Sequence, residues 1–189
     1  MMRSVKEENR QKGFTLIELI VSLAISVALI GGTTAAIFQV FEVGEKSKSH
    51  MSAAEEVENA GYWIGRDSQM AQSISLSDDA GTVETEVLTL RWVGWPREEG
   101  NEQCIDSYEV AYSYDNNQIW RREKVTTEKY DSNGHFIEAT ESTSSLLVAQ
   151  NITALSISLS AGKVVVDITA SVGEATERRI YEIKPRPSS

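Results

Sequence analysis

From Phe14 to Phe41 the chain is apolar all round: FTLIELIVSLAISVALIGGTTAAIFQVF holds 28 residues and one ionisable side chain, Glu18. A helix that crosses a bilayer needs about 20 predominantly apolar residues, so this run predicts a spanning helix with length to spare. Gly31, Gly32, Thr33 and Thr34 form a weak helical patch at which the helix is expected to bend or locally melt. After Phe41 the pattern changes without a break. There is no proline between Glu42 and Ser75, and apolar or small residues recur at Val57, Ala60, Ile64, Ala71 and Ile74. That spacing of three and four, with Asp67 filling the gap, predicts an amphipathic continuation of the helix to about Leu76. The run Ser77-Asp78-Asp79-Ala80-Gly81 then reads as a loop.

Beyond Gly81 the period shortens to two. Leu88, Leu90 and Trp92 alternate, as do Tyr108, Val110, Tyr112 and Tyr114, then Leu155, Ile157 and Leu159, then Val164, Val166, Ile168 and Ala170. Alternation rich in β-branched and tyrosine residues predicts half-buried antiparallel strands. Turn signals separate them at Asp115-Asn116-Asn117, Asn133-Gly134 and Ala161-Gly162. The expectation is an α+β protein: a long N-terminal helical spine carrying a mostly antiparallel β-sheet head, with hairpins over about 106–124 and 153–172. Pro96–Gln103 is expected to be a polar loop, and Pro185–Ser189 an extended, frayed tail.

Charge sharpens this division. Residues 1–13 carry four basic side chains (Arg3, Lys6, Arg10, Lys12) and two acidic ones, whereas residues 42–189 carry 14 basic and 25 acidic side chains, a net of -11. By the positive-inside rule, residues 1–13 face the cytoplasm and residues 42–189 lie outside. An acidic head repels phosphate backbones, so no nucleic-acid partner is expected for it. The single cysteine, Cys104, makes no internal disulfide and matches no metal-ligand spacing. His50 and His135 have no metal-spaced partner and are expected to be solvated. Asp131-Ser132-Asn133-Gly134 has the wrong spacing for a calcium loop and reads as a turn. No nucleophile-elbow or phosphate-loop pattern is present, so no enzyme, cofactor or metal site is expected. Asn151-Ile152-Thr153 fits a glycosylation sequon, a pattern short enough to arise by chance.

Three readings compete for the N-terminal segment. A secretory signal peptide fits the basic start and the small residues at Thr34-Ala35-Ala36. Against it stands Glu18, because an acidic side chain near a helix centre in the membrane costs about 2.5–3.5 kcal/mol. A plain membrane anchor needs no Glu18 at all. The third reading uses every detail. Lys12-Gly13-Phe14-Thr15-Leu16-Ile17-Glu18, continuing through Leu19-Ile20-Val21-Ser22-Leu23-Ala24-Ile25, resembles the processing site of type IV prepilins and type II secretion pseudopilins.

The resemblance implies cleavage between Gly13 and Phe14 by a membrane-bound prepilin peptidase, and methylation of the new amino group on Phe14. It also implies assembly through Glu18, whose carboxylate would meet the Phe14 amino group of a neighbouring subunit. A carboxylate that merely snorkels to the membrane edge is the alternative for Glu18. The implied layout is a removed cytoplasmic leader over 1–13, a transmembrane and filament-core helix over 14–41, its amphipathic continuation over 42–76, a β-rich head over 82–184 and a tail over 185–189. The implied partners are the peptidase, other pilin or pseudopilin subunits, an inner-membrane assembly platform and the lipid bilayer.

Weaker features of the head narrow the type. Trp63-Ile64-Gly65-Arg66-Asp67, Tyr108-Glu109-Val110-Ala111-Tyr112 and Ile119-Trp120-Arg121-Arg122 look like minor pseudopilins of the J type and related minor pilins. One cysteine excludes the disulfide-closed loop of the major pilins of pathogen-type pili. The expected function is thus a minor structural subunit of a pilus or pseudopilus. The competing function is a tip-located binding module that captures a surface, a secreted substrate or DNA, with Trp92, Trp95 and Trp120 forming its face.

Overall fold

The computed structural model describes residues 13–76 and 86–185. The leader as far as Lys12, the loop expected at Ser77–Gly81 and the tail from Arg186 lie outside the described residues. The chain forms two compact units, one ending at Glu45 and the other beginning at Lys46. One helix, α1 (Leu16–Met70), contributes to both.

In the first unit α1 is helical throughout, including Gly31-Gly32, where a bend or local melting was expected. Its residues are exposed on all sides, and an 18-residue window within it has a mean hydropathy of 2.1, which makes it long and apolar enough to cross a membrane. Its few hydroxyls bond back to the helix. Ser22 Oγ donates to the Glu18 carbonyl at 2.7 Å, Ser26 to Ser22 at 2.8 Å, Thr33 to Leu29 at 3.0 Å and Thr34 to Ile30 at 2.8 Å. Polar groups satisfied within their own helix suit hydrocarbon, where water cannot pair with them.

In the second unit α1 buries one stripe: Ala53, Val57, Ala60, Gly61, Ile64, Asp67 and Ser68. The helix ends at Met70, short of the expected Leu76. Ala71 still donates to the Asp67 carbonyl at 3.1 Å, but Gln72 turns away to the Arg91 carbonyl at 2.9 Å. Ser73–Ser75 become strand β1. A β-branched Ile74 between two serines has little helix preference, and pairing with a neighbouring strand satisfies its backbone instead.

Two antiparallel sheets cover this stripe. Sheet A holds β1, β2 (Glu86–Val93), β4 (Glu102–Asp115), β5 (Gln118–Tyr130) and β6 (Phe136–Ala149) in that order, with β3 (Arg97–Glu99) paired to the start of β4. Sheet B holds β7 (Ile152–Ser160), β8 (Lys163–Val172) and β9 (Ala175–Ile183) in sequence order. This is the α+β architecture expected from the change of period. The alternating residues face the helix as predicted: Leu88 lies opposite Tyr112 and Leu90 opposite Val110, and all four are fully buried. Val164, Val166, Ile168 and Ala170 do the same from sheet B. Full burial of such a side chain is worth about 1.5–3 kcal/mol.

The expected hairpins are longer than the alternation showed. β4 and β5 pair from Gln103–Tyr130 down to Asp115–Gln118. The turn between them, Asn116-Asn117, has φ of 49° and 61°, a left-handed pair that asparagine tolerates and hairpin twist favours. Pro96–Gln103 is not a loop, because β3 pairs there with β4, Arg97 opposite Cys104. Its Arg-Glu-Glu sequence is exposed on both faces, so it shows no alternation.

Candidate functional site

The three head segments singled out in the sequence converge on one buried carboxylate. Asp67 is fully buried on the inner face of α1. Its Oδ2 accepts hydrogen bonds from Tyr112 Oη on β4 and from Arg121 Nε on β5, each at 2.6 Å. Its Oδ1 accepts from Arg66 Nε and Nη2 at 3.3 and 3.2 Å. Arg121 continues to Glu123 Oε2 at 3.0 Å, and the indole of Trp63 lies against the guanidinium of Arg66 at 4.0 Å and that of Arg121 at 5.2 Å. Burial pushes the Tyr112 hydroxyl far above its ordinary pKa, and the Asp67 charge adds to this. Burial opposes the Arg121 charge, but hydrogen bonds to Asp67 and Glu123 outweigh it and hold its pKa above the usual value. The network is a charge-paired joint between helix and sheet, in which every buried side-chain nitrogen and oxygen has a partner. Ser68 Oγ beside it is the one buried side-chain oxygen or nitrogen among the described residues without one.

The helix meets sheet B differently. A Cβ on Gly61 would overlap the ring of Tyr181, so only glycine lets β9 come this close. Tyr181 Oη then reaches the Val57 carbonyl at 3.2 Å. Neither contact was legible in the sequence, where nothing singled out Gly61 and β9 had no alternation.

The tryptophans do not form the expected face. Trp92 stands opposite Tyr108 on the helix side of sheet A and stacks on it at 5.3 Å. Trp120 stands opposite Ser113, while its neighbour Arg121 stands opposite the inward Tyr112, so Trp120 is on the other side of the sheet. Trp95 projects alone from the connection between β2 and β3, 87% exposed. His50 and His135 both lie at the surface, His50 within 3.6 Å of Glu177 and His135 within 3.2 Å of Asp131. Asp131 Oδ1 also accepts the amides of Asn133 and His135 at 2.8 Å each, which makes the Asn133-Gly134 segment the turn that was expected. Among the described residues no group of His, Cys, Asp or Glu is placed to hold a metal.

At the amino terminus, Gly13, Phe14 and Thr15 precede the helix. Gly13 is open on all sides, with nothing within 4 Å of a Cβ placed there, and Phe14 is 87% exposed. Thr15 caps α1. Its backbone amide and its hydroxyl both donate to Glu18 Oε2 at 3.1 Å, and the Glu18 amide donates to Thr15 Oγ1 at 3.3 Å. This is a reciprocal capping box, which satisfies otherwise orphaned donors at the first turn. Thr15-Leu16-Ile17-Glu18 carries the Ser/Thr-x-x-Glu signature of such a box, and the sequence reading passed over it.

Residues 9–34 match the prokaryotic N-terminal methylation motif. That motif marks a type IV prepilin-like amino-terminal segment. No curated protein and no solved structure matches it. The match covers the amino-terminal segment, so the prepilin-like chain owes its classification to the same residues that set the helix start. The motif supports a subunit of the pilin or pseudopilin type, and the one long apolar helix among the described residues fits a single-pass membrane anchor. Proteins of this type are structural and associate with like subunits and with a prepilin peptidase.

Proposed function

We propose that the chain is a minor subunit of a type IV pilus or type II secretion pseudopilus, cleaved between Gly13 and Phe14, methylated on Phe14 and built into a filament through α1. Its leader faces the cytoplasm and its head lies outside the membrane before assembly. The observation that carries this reading is the methylation motif laid over an open Gly13–Phe14 junction directly ahead of a capped apolar helix. A peptidase needs an extended, accessible substrate, and the cap starts the helix after Thr15.

Glu18 supplies the assembly step. In a lone subunit its carboxylate is held by Thr15 near the membrane edge. Among packed spines that edge becomes dry, and a carboxylate there needs a positive partner. Residues 14–41 contain no Lys, Arg or His. The Phe14 amino group of a neighbour is the partner that cleavage creates. Glu18→Gln tests this cleanly, because glutamine still serves a capping box while losing the charge. The expected result is normal membrane insertion and cleavage, with a sharp loss of the filament-bound fraction. Equal incorporation of mutant and wild type would leave Glu18 as a helix cap and nothing more.

A further inference from the structure

We propose that the outer side of the β4–β5 hairpin binds a neutral pyranose, with Trp120 as the platform under the sugar ring. A cavity of about 290 Å³ opens there, and its lining includes Ser113, Asp115, Trp120, Arg122 and Ser145. The strand register puts these side chains on one face. Successive strand residues point to opposite sides, and Arg121 turns inward to Asp67, so Trp120 and Arg122 turn outward. Ser113 stands opposite Trp120 on β4, and Ser145 stands opposite Arg122 on β6. Asp115 closes the cavity at the end of β4, beside the Asn116-Asn117 turn. Trp120 stays 39% exposed although Leu147 stands next to it on β6. An indole amid short hydroxyl side chains is a flat apolar surface ringed by polar groups.

The surface is held in place before any ligand arrives. Trp120 Nε1 donates to Gln118 Oε1 at 3.2 Å, which fixes the tilt of the ring, and Asn116 Nδ2 donates to Asp115 Oδ2 at 2.8 Å, which orients the carboxylate. A preorganised site loses less on binding. The chemistry of the rim selects the ligand. It carries one carboxylate and one guanidinium, so an anion meets a like charge at Asp115 and a cation meets one at Arg122. A wholly apolar ligand would cover both groups without replacing their bonds to water. The ligand that fits is uncharged, with one apolar face for the indole and hydroxyls along its edge. A pyranose has both: C–H groups on a ring face, and hydroxyls that donate to Asp115, accept from Arg122 and do either with Ser113 and Ser145. The volume suits a small ligand, since pockets for such molecules begin at about 300 Å³. This inference goes beyond the pilus-subunit reading and does not depend on it.

The test uses the full chain in a detergent without sugar headgroups. Methyl glycosides of glucose, galactose and N-acetylglucosamine are titrated in and followed by saturation-transfer NMR. At least one should bind, with transfer strongest to the C–H protons of one ring face. Trp120→Ala should weaken that binding about tenfold or more, and Trp120→Phe, which keeps a ring, should weaken it less. Asp115→Asn, at an exposed turn, should also weaken binding while thermal unfolding stays unchanged, which keeps the inference testable where Trp120→Ala destabilises the head. Each glycoside is run beside its disaccharide; tighter binding of the disaccharide marks a glycan chain as the source and equal binding a free sugar, and either supports the inference. Failure of every glycoside to bind, binding undiminished in Trp120→Ala and Asp115→Asn, or a preference for glucuronate over glucose overturns it. Filament assembly is read separately by Glu18→Gln, so failure of one reading is distinguishable from failure of the other.

Discussion

The two parts of α1 follow one another in a single unbroken helix and behave as different materials. From Gly13 to Lys48 every side chain is exposed, including sixteen large apolar ones such as Leu23, Ile25 and Leu29. From Ala53 to Ser68 the helix keeps one buried stripe, and its opposite face carries Glu55, Glu58 and Tyr62. A helix apolar all round must find its burial in lipid or among other helices, whereas a striped helix finds it in its own chain. The difference extends to polar groups. In the first part hydroxyls bond to their own helix, and Glu18 is served by Thr15. In the second, Asp67 is served by β4 and β5. The first part is therefore prepared for partners that the folded monomer lacks, and the second is already complete.

The largest expected effect breaks the complete part. Asp67→Ala removes the buried carboxylate that pairs with Arg121 and leaves that almost fully buried guanidinium with Glu123 alone, which should destabilise the head by about 3–5 kcal/mol. Thermal unfolding of the full chain in detergent micelles reads this. Asp67→Leu combined with Arg121→Met and Tyr112→Phe should cost much less than the single change, because no fully buried charge is then left unpaired, and Arg66 and Glu123, which each lose a partner, are partly exposed. A triple variant as unstable as Asp67→Ala would show that the joint holds the head together by attraction and not by mutual neutralisation.

Glycines give the next contrast. Gly61→Val should displace the Tyr181 ring and cost about 1–3 kcal/mol through overpacking. Gly31→Ala meets nothing within 4 Å and should leave head unfolding unchanged while firming the helix by up to about 1 kcal/mol. Similar losses from both would erase the distinction between the two parts of the helix. Ser68→Ala should be neutral or stabilising by about 1 kcal/mol, since it deletes a buried hydroxyl with no partner. A clear loss of stability would mean that Ser68 holds a bond in solution.

Acid should act weakly and on the head alone. Hydrogen bonds from Arg178 hold the Asp167 carboxyl below its ordinary pKa, and a bond from Lys163 does the same for Glu182. The His135 amide lowers Asp131. Carboxylates with lowered folded pKa stabilise the fold above their unfolded values, about 3.9 for Asp and 4.3 for Glu, and lose that contribution as pH falls through the folded values. Head stability should thus be flat near neutrality and decline below about pH 4. A decline already complete at pH 6 would contradict this.

Sequence made some of this legible and hid the rest for identifiable reasons. The membrane-spanning run, the strands that face the core and the Asn116-Asn117 turn were plain, because one face or one backbone conformation demanded particular residues. β6 was missed because its residues through Leu147 are exposed on both faces, so nothing imposed a period of two. β9 was missed because its charged residues pair with other side chains, such as Arg178 with Asp167 and Arg179 with Glu58. The helix end at Met70 was misplaced because Ala71 and Ile74 continue the apolar spacing after the backbone has turned into a strand. Of the candidate site, Gly13, Phe14 and Glu18 could be read as a pattern, and the Thr15 cap was also legible as Thr-x-x-Glu, although only the geometry draws attention to it. Asp67, Tyr112 and Arg121 were noticed as separate motifs, and only the fold shows that they meet.

The most direct measurement is the mass of the mature amino-terminal peptide from membranes or filaments. A peptide beginning with methylated Phe14 is expected, and Gly13 replaced by a bulky residue should leave uncut precursor in the membrane. A mature chain beginning at Ile37, or one that keeps its leader intact beside an active prepilin peptidase, would contradict the proposed processing and assembly.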